Sequence, residues 1–248
     1  MDFMKPRKRG KVCSIMSDLL EAAKAGDLDK LKDLLSSKID LEKKDANGRT
    51  ALLIASSKGF KDCVEILLRH GANAAVKDQQ DMTALLFASW NGHASCVELL
   101  IPTGIDLNVQ DSYGFTCLNM ASKRGHVDCV RLILAEPEID LDVQDSYSRT
   151  ALMWACENGH LEIARLLLEH GADVNSTDHG GSGITALRLA CEYKRIGCVE
   201  LLLEHGAVVG CSEGKQSVPI ATLIIYSHSV HIYHTMSPTS HICRYPLV

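Results

Sequence analysis

The chain has 248 residues, of which 46% are apolar and 23% are charged, so it can bury a core and is not disordered as a whole. Its formal net charge is −5, which argues against nucleic acid as the main partner because phosphate binding needs a basic surface. No stretch approaches ~18 consecutive apolar residues, and the N-terminus lacks the apolar region of a secretory signal, so we predict no membrane-spanning helix and no such signal.

The first residues are basic and have no hydrophobic periodicity. Four of the five residues from Lys5 to Arg9 are Lys or Arg, and Lys11 follows. We predict that residues 1–16 form a solvated, disordered tail. A nuclear localisation signal is the alternative interpretation of the basic run.

Residues 17–44 have the pattern of a divergent helical unit. Leu20, Ala23, Leu31 and Leu35 lie at spacings that place them on one apolar stripe, whereas the remaining positions are rich in Lys and Asp. A terminal unit of a repeat array needs such a charged outer face to stay soluble. We therefore predict that this segment caps an array.

Five further units follow, with aspartates separated by 33, 33, 34 and 33 residues. A threonine comes five residues after each of the first four aspartates and seven residues after the fifth. Leucine, alanine and, in four units, glycine recur at fixed offsets beyond the threonine. The aspartates are Asp45, Asp78, Asp111, Asp145 and Asp178, and the threonines are Thr50, Thr83, Thr116, Thr150 and Thr185.

Each recurring residue has a structural interpretation. The aspartate suits a tight turn, and the threonine can cap the N-terminus of a first helix. Leucine and alanine three residues apart lie on one helical face. The glycine, as at Gly59 and Gly92, permits the positive φ of a turn before a second helix. We therefore predict units of turn, short helix, turn and longer helix, which are stable only when stacked.

The segments Asp45 to Ala72 and Asp145 to Asn175 resemble ankyrin repeats. The resemblance covers residues 17–210 and implies an all-α solenoid of stacked helix-turn-helix units with short β-turn or hairpin tips. The expected units are 17–44, 45–77, 78–110, 111–144, 145–177 and 178–210. The chain departs from the ankyrin pattern in two ways. The proline and histidine that usually follow the threonine are missing. The fifth unit after the cap has an insertion at Gly180 to Gly183 and has Lys194-Arg195 in place of Gly-His.

The ten cysteines fit a reducing compartment. Cys63, Cys96 and Cys129 are each 33 residues apart, so they recur once per unit as small core residues. No CxxC pair occurs. We therefore predict a cytoplasmic protein, with the nucleus as the alternative compartment, and no metal or cofactor.

Residues 211–248 lose the periodicity, and we predict a poorly ordered or truncated tail. Histidines at three-residue spacing, His228, His231 and His234, are one alternative, as a weak surface metal site. The segment Ser240 to Arg244 is another, because it resembles the start of a SOCS box, which follows ankyrin repeats in ubiquitin-ligase adaptors.

The resemblance also implies a binding surface, since turn tips and first helices line the concave face of ankyrin arrays. Aromatic residues and arginines at these positions have no predicted packing role and are typical of interface hot spots. The alternative is that the rings stack on one another between turns. The predicted partner-binding residues are Arg49, Gln80, Met82, Trp90, Asn91, Tyr113, Phe115, Lys123, Arg124, Tyr147, Arg149, Glu157, Asn158 and Tyr193.

Asn108 and Asn175 take the position where ankyrin proteins resemble substrates of an asparaginyl hydroxylase, and the alternative that we favour is a hydrogen-bonded turn residue.

No motif of an enzyme is present: the sequence lacks a P-loop, a dinucleotide fingerprint and a nucleophile elbow. We therefore expect a monomeric adaptor or scaffold that binds another protein rather than an enzyme. The alternatives are a stoichiometric inhibitor or nuclear regulator of a signalling protein or transcription factor, and a ubiquitin-ligase substrate adaptor.

Overall fold

The structure is a computed structural model, and it describes residues 18–178 and 183–209. The predictions for residues 1–16 and 211–248 lie outside the described residues, as does most of the insertion at Gly180 to Gly183. Within the described ranges the chain is all-α and has no β-strand, which confirms the predicted fold class.

Twelve α-helices follow one another in the described part of the chain, with one short 3₁₀ helix at Ile101–Thr103. The helices are α1 (18–25), α2 (Leu28–Leu35), α3 (Ala51–Lys58), α4 (Lys61–Arg69), α5 (Ala84–Asn91), α6 (Ala94–Leu100), α7 (Cys117–Arg124), α8 (Val127–Leu134), α9 (Ala151–Asn158), α10 (Leu161–Glu169), α11 (Ala186–Glu192) and α12 (Ile196–Glu204).

The helices form two rows. The first helices of successive units, α3, α5, α7, α9 and α11, pack each against the next, and the second helices, from α2 to α12, do the same. Because a first helix has a neighbour on both sides and its own second helix behind, its first six residues are buried almost regardless of type, as in α3 from Ala51 to Ser56. The second helices bury only one stripe, such as Cys63, Val64 and Leu67 of α4.

The predicted threonine caps are confirmed. The hydroxyl oxygen of each threonine accepts a hydrogen bond from the amide three residues later, as Thr116 does from Asn119 at 3.2 Å. Thr50, Thr83, Thr150 and Thr185 make the same bond. This bond satisfies an amide that would otherwise be unpaired at a buried helix start.

The recurring aspartates organise the tips between units. One carboxylate oxygen of Asp145 accepts the amide protons of Tyr147 at 2.8 Å and Arg149 at 3.1 Å, and the Asp145 amide donates to the Arg149 carbonyl. Asp45, Asp78 and Asp111 repeat this arrangement. Adjacent tips are joined by backbone hydrogen bonds, for example from the Ser146 amide to the Tyr113 carbonyl. The short turn tips predicted from the Asp pattern are thus present.

A histidine of one unit fills the space above a glycine of the unit before it. Gly92 ends α5 with φ 76°, and a Cβ atom built there would lie 2.5 Å from Nδ1 of His126. Nε2 of the same ring lies 3.2 Å from the Trp90 carbonyl oxygen at the end of α5. His93 and His160 make the equivalent contacts, so glycine provides both the left-handed backbone and room for the ring.

The last described unit keeps this geometry with different residues. Lys194 occupies the glycine position and adopts the same left-handed backbone, with φ 56°. Arg195 replaces the histidine, and its Nε donates to the Glu157 carbonyl oxygen at 3.0 Å. The departure found in the sequence therefore changes the residues but preserves the link between the units.

The close approach of glycine and histidine predicts a large effect of one methyl group. Gly71→Ala is the control, because Gly71 also has positive φ (86°) but nothing lies within 4 Å of the added Cβ. We expect Gly71→Ala to lower the free energy of unfolding by ~1 kcal/mol through backbone strain alone. Gly92→Ala should cost a further ~1–3 kcal/mol because the His126 ring must move. Urea unfolding of both variants measures the difference, and equal losses would contradict the role of the ring.

Lys194 gives the opposite prediction. Removing its Cβ relieves the left-handed backbone, so Lys194→Gly should raise the free energy of unfolding by ~1 kcal/mol, less the entropy that glycine adds to the unfolded chain. Lys194→Ala is the matched control, since it removes the side chain and keeps the strain. A thermal-unfolding comparison in which alanine stabilises as much as glycine would rule out backbone strain as the cause.

Candidate functional site

The candidate site is a surface, here called the tip face. It consists of the turn tips and the last turns of the first helices α3, α5, α7, α9 and α11. Most of the sequence-predicted residues reach solvent there: Tyr113, Tyr147 and Tyr193 are 53%, 61% and 44% exposed. The other exposed or half-buried ones are Arg49, Gln80, Trp90, Asn91, Lys123, Arg124, Arg149, Glu157 and Asn158.

Two predicted binding residues are buried, so the prediction that they are surface residues is wrong. Met82 is 8% exposed and Phe115 is 6% exposed. Both lie four residues after a tip aspartate, at the base of the turn, where their backbone pairs with that aspartate. The side chains of Met82 and Phe115 are packed into the stack, and Phe115 contacts Trp154 of the next unit.

The two arginines at the same position are half-buried and already paired. Nε of Arg49 lies 3.3 Å from Oδ2 of the buried Asp78, and its guanidinium lies over the Phe87 ring, 4.8 Å from the centroid. Arg149 forms an ion pair with Glu157. These charges are partly used within the stack, which leaves them less free for a partner than the sequence suggested.

Three aromatic rings meet between the units 111–144 and 145–177. The ring centroids of Phe115, Tyr147 and Trp154 are 5.7 to 6.2 Å apart, in tilted and edge-on arrangements that favour attraction. The indole Nε1 of Trp154 donates to Oδ2 of Asp145 at 2.6 Å. The alternative interpretation, that rings of adjacent turns stack on one another, therefore holds for Phe115 and Tyr147, which also pack against the buried Trp154.

Lys123 extends across this ring cluster. Its Nζ lies 3.7 Å from the Trp154 centroid and 4.6 Å from that of Phe115, within the range of cation–π attraction. Burial lowers the pKa of Lys123, and the nearby Arg149 and Arg124 lower it further, whereas Asp145 opposes the shift. The next residue, Arg124, is exposed and lies over the Trp90 ring at 4.2 Å.

Trp154 and Phe87 are not among the predicted site residues, because their helix position is a core position, and both are buried. Their rings nevertheless support the charged side chains of the tip face, through Lys123 and Arg49. One signal in the sequence could have indicated this support of Lys123 and Arg49. It is an aromatic residue at a core helix position that follows a unit with a cation in its tip or at the end of its first helix.

The asparagines serve the links between units. Asn108 donates to the Glu138 carbonyl oxygen at 3.0 Å and accepts from the Asp140 amide at 2.9 Å, and Asn175 bonds the last unit in the same way. The hydrogen-bonded turn interpretation is therefore confirmed.

Three asparagines of the first helices also form hydrogen bonds. At the position where ankyrin repeats usually have a histidine after the capping threonine, the buried Asn119 donates to the Val143 carbonyl oxygen at 3.2 Å. Asn91 and Asn158 each donate to a carbonyl of their own helix.

The cysteines of the described residues are buried and free, as their periodicity predicted. Burial raises the pKa of Cys117 to about 12 and that of Cys129 and Cys191 to about 11. These thiols therefore stay protonated at neutral pH and are poor nucleophiles. In the same part of the chain, no group of three His, Cys, Asp or Glu residues could hold a metal ion.

The units of paired helices with aspartate tips match known protein families. A family model described as ankyrin repeats in three copies matches residues 19–111 and 103–178, and a single ankyrin-repeat model matches residues 182–213. The chain belongs to the ankyrin-repeat family. Ankyrin repeats generally mediate protein–protein interaction, and the fold is typically non-enzymatic. Across residues 18–178 and 183–209, no helix is long and apolar enough to cross a bilayer.

Two solved ankyrin structures are similar to this chain. The ankyrin repeat protein EF0377 is 28% identical, with a TM-score of 0.71, and the match covers 76% of this chain and 98% of that one. An ankyrin repeat domain from Acinetobacter baumannii AYE is 31% identical, with a TM-score of 0.70, over 77% of this chain and 98% of that one. No curated protein sequence gives a significant match.

The hydrogen bond between Trp154 and Asp145 predicts a difference between two tip aspartates. In Asp145→Asn, the amide oxygen can still accept the two tip amides, but its NH₂ group then faces the indole N–H. One buried donor loses its acceptor, so we expect a loss of ~1–3 kcal/mol in the free energy of unfolding relative to the control. The control is Asp45→Asn, which has the same tip bonds and no indole. Equal losses in denaturant unfolding would contradict this.

Proposed function

We propose that the chain is an adaptor or scaffold that binds a segment of another protein on the tip face. The observation that carries the proposal is the placement of Trp90, Tyr113 and Tyr147. Tyr113 and Tyr147 are more than half exposed, and Trp90 is half-buried. Aromatic residues in such positions dominate protein interfaces because they bury a large area at a small cost in conformational entropy.

The repeat fold does not require aromatic rings at these positions. The tip position of Tyr113 and Tyr147 is held by Asn47 and Gln80 in two other units, which have the same turn and the same hydrogen bonds. The helix position of Trp90 is held by Ser57 in the preceding unit. The fold therefore tolerates small polar residues at these places. Tyr147 packs against Phe115 and Trp154, and Trp90 lies under Arg124, but the equivalent turns and helices of other units form without such contacts.

The rings are also concentrated in neighbouring units. Trp90 belongs to unit 78–110, Tyr113 to unit 111–144 and Tyr147 to unit 145–177, and the three tips are joined by backbone hydrogen bonds. A partner segment that follows the row of tips can contact all three rings without a rearrangement of the backbone. This favours binding, because the conformational entropy lost on association is small when the surface is already ordered.

The test is a comparison of two double variants of the full chain in pull-down or proximity labelling. Trp90→Ala with Tyr113→Ala should lose the interactors that the wild type captures, because both rings leave the tip face. We expect the substitutions to spare the fold, since His126 contacts the backbone carbonyl of residue 90 and the Tyr113 tip is held through the Tyr113 backbone amide, which donates to the Asp111 carboxylate.

The matched control is Arg165→Ala with Glu169→Ala, two exposed residues on the second helix α10. We expect the control to keep every interactor. If the ring variant keeps its circular dichroism spectrum, its unfolding midpoint and all interactors, the tip face is not the binding surface and the proposal is wrong.

A further inference from the structure

The centre of the tip face carries two consecutive cations whose charges nothing in the described residues neutralises directly. Lys123 and Arg124 end helix α7, and no carboxylate of the described chain lies within 4.0 Å of either one. Their side chains also donate no hydrogen bond to a described group. Each lies instead against aromatic rings: Lys123 over Trp154, Phe115 and Tyr147, and Arg124 over Trp90.

Two cation–π contacts and two consecutive residues at the end of α7 connect four side chains, here called the cation strip: Trp90, Arg124, Lys123 and Tyr147. The Arg124 guanidinium lies 4.2 Å from the Trp90 centroid, and the Lys123 ammonium lies 5.8 Å from the Tyr147 centroid. The strip crosses three successive units. It offers two cations in the middle with an aromatic ring at each end.

The fold does not require two cations at this place. A single cation at a helix C-terminus is favoured by the helix dipole, and Lys58 at the end of α3 is an example. The equivalent pairs in the other units contain at most one cation: Ser57-Lys58, Trp90-Asn91, Glu157-Asn158 and Glu192-Tyr193. Only α7 ends in Lys-Arg, so the pair is a local feature and not part of the repeat.

The surroundings of Lys123 make an external anion favourable. The rings remove water from the ammonium, and Arg124 and Arg149 repel it, which is why its pKa falls. The carboxylate of Asp145, which favours the charged form of Lys123, is already engaged by two tip amides and by the Trp154 indole. An oxyanion from outside would restore the lost solvation of Lys123 and would also accept from the unpaired donors of Arg124.

We propose that the cation strip binds an acidic side chain in a linear segment of the partner protein, flanked by apolar residues that pack on Trp90 and Tyr147. This inference rests on the proposed function and specifies the chemistry of the partner. Nucleic acid is disfavoured, because the whole chain has a net charge of −5 and exposed acids such as Asp81 and Glu192 share the tip face.

The experiment is a selection of random 12-residue peptides displayed on phage against the immobilised full chain. A parallel selection uses the variant Lys123→Gln with Arg124→Gln. We expect the wild type to enrich peptides with Asp or Glu next to apolar residues, and the variant to fail to enrich them. Circular dichroism and the midpoint of thermal unfolding establish that the variant is folded.

A fluorescein-labelled peptide from the selection then gives the affinities by anisotropy. We expect the double variant to bind about tenfold more weakly or worse. An increase from low to high salt should weaken wild-type binding, because salt screens charge pairs that remain accessible to solvent. Lys123→Arg keeps the charge and should retain most of the affinity. Lys58→Gln, which removes an exposed cation from the end of α3, should change nothing.

Three results would overturn the inference: a selected pool without an excess of Asp and Glu, equal affinity of the double variant for the acidic peptide, or tighter binding of a 20-nucleotide oligothymidine than of the peptide at the same residues. Each leaves the proposed function intact if Trp90→Ala with Tyr113→Ala still loses its protein interactors. The two failures are therefore distinguishable.

Discussion

The stack depends on one close approach, the contact between an imidazole ring of one unit and the glycine that ends the first helix of the unit before it. The ring can lie there only because the glycine has no Cβ, and from there it reaches a carbonyl at the end of the same helix. This contact brings neighbouring units close together, and Arg195 takes the place of the ring over Gly159 in the last described unit. The tips can form a continuous row because the spacing is the same from unit to unit.

The tip aspartates determine which tip residues are exposed. In the tips of Asp45, Asp78, Asp111 and Asp145, the carboxylate fixes the backbone of its own turn with two hydrogen bonds. The residue two positions later is exposed there, and the residue four positions later is buried or half-buried. Tyr113 and Phe115 illustrate this rule, since the first is 53% exposed and the second 6%. Binding residues can therefore vary at outward positions without disturbing the fold.

The sequence was sufficient to predict the helices, caps and glycine turns, because each is set by local hydrogen bonding and by a period that repeats. It was not sufficient to assign the direction of every tip side chain. Met82 and Phe115 are in the same short turns as Gln80 and Tyr113, and the amides at both positions donate to the same aspartate oxygen. The two positions differ in that the carbonyl of Met82 or Phe115 also accepts from the aspartate amide. The cation–π contacts of Lys123 join side chains from different units, so no local pattern could reveal them.

The histidine–carbonyl links have a further consequence for how the molecule responds to load. Each link joins a unit only to its immediate neighbour, so a local opening disturbs the adjacent units most and those farther away progressively less. The units behave as a short one-dimensional lattice. A bound partner that spans three units links them a second time. Its binding free energy therefore slows amide hydrogen exchange in the helices beneath it.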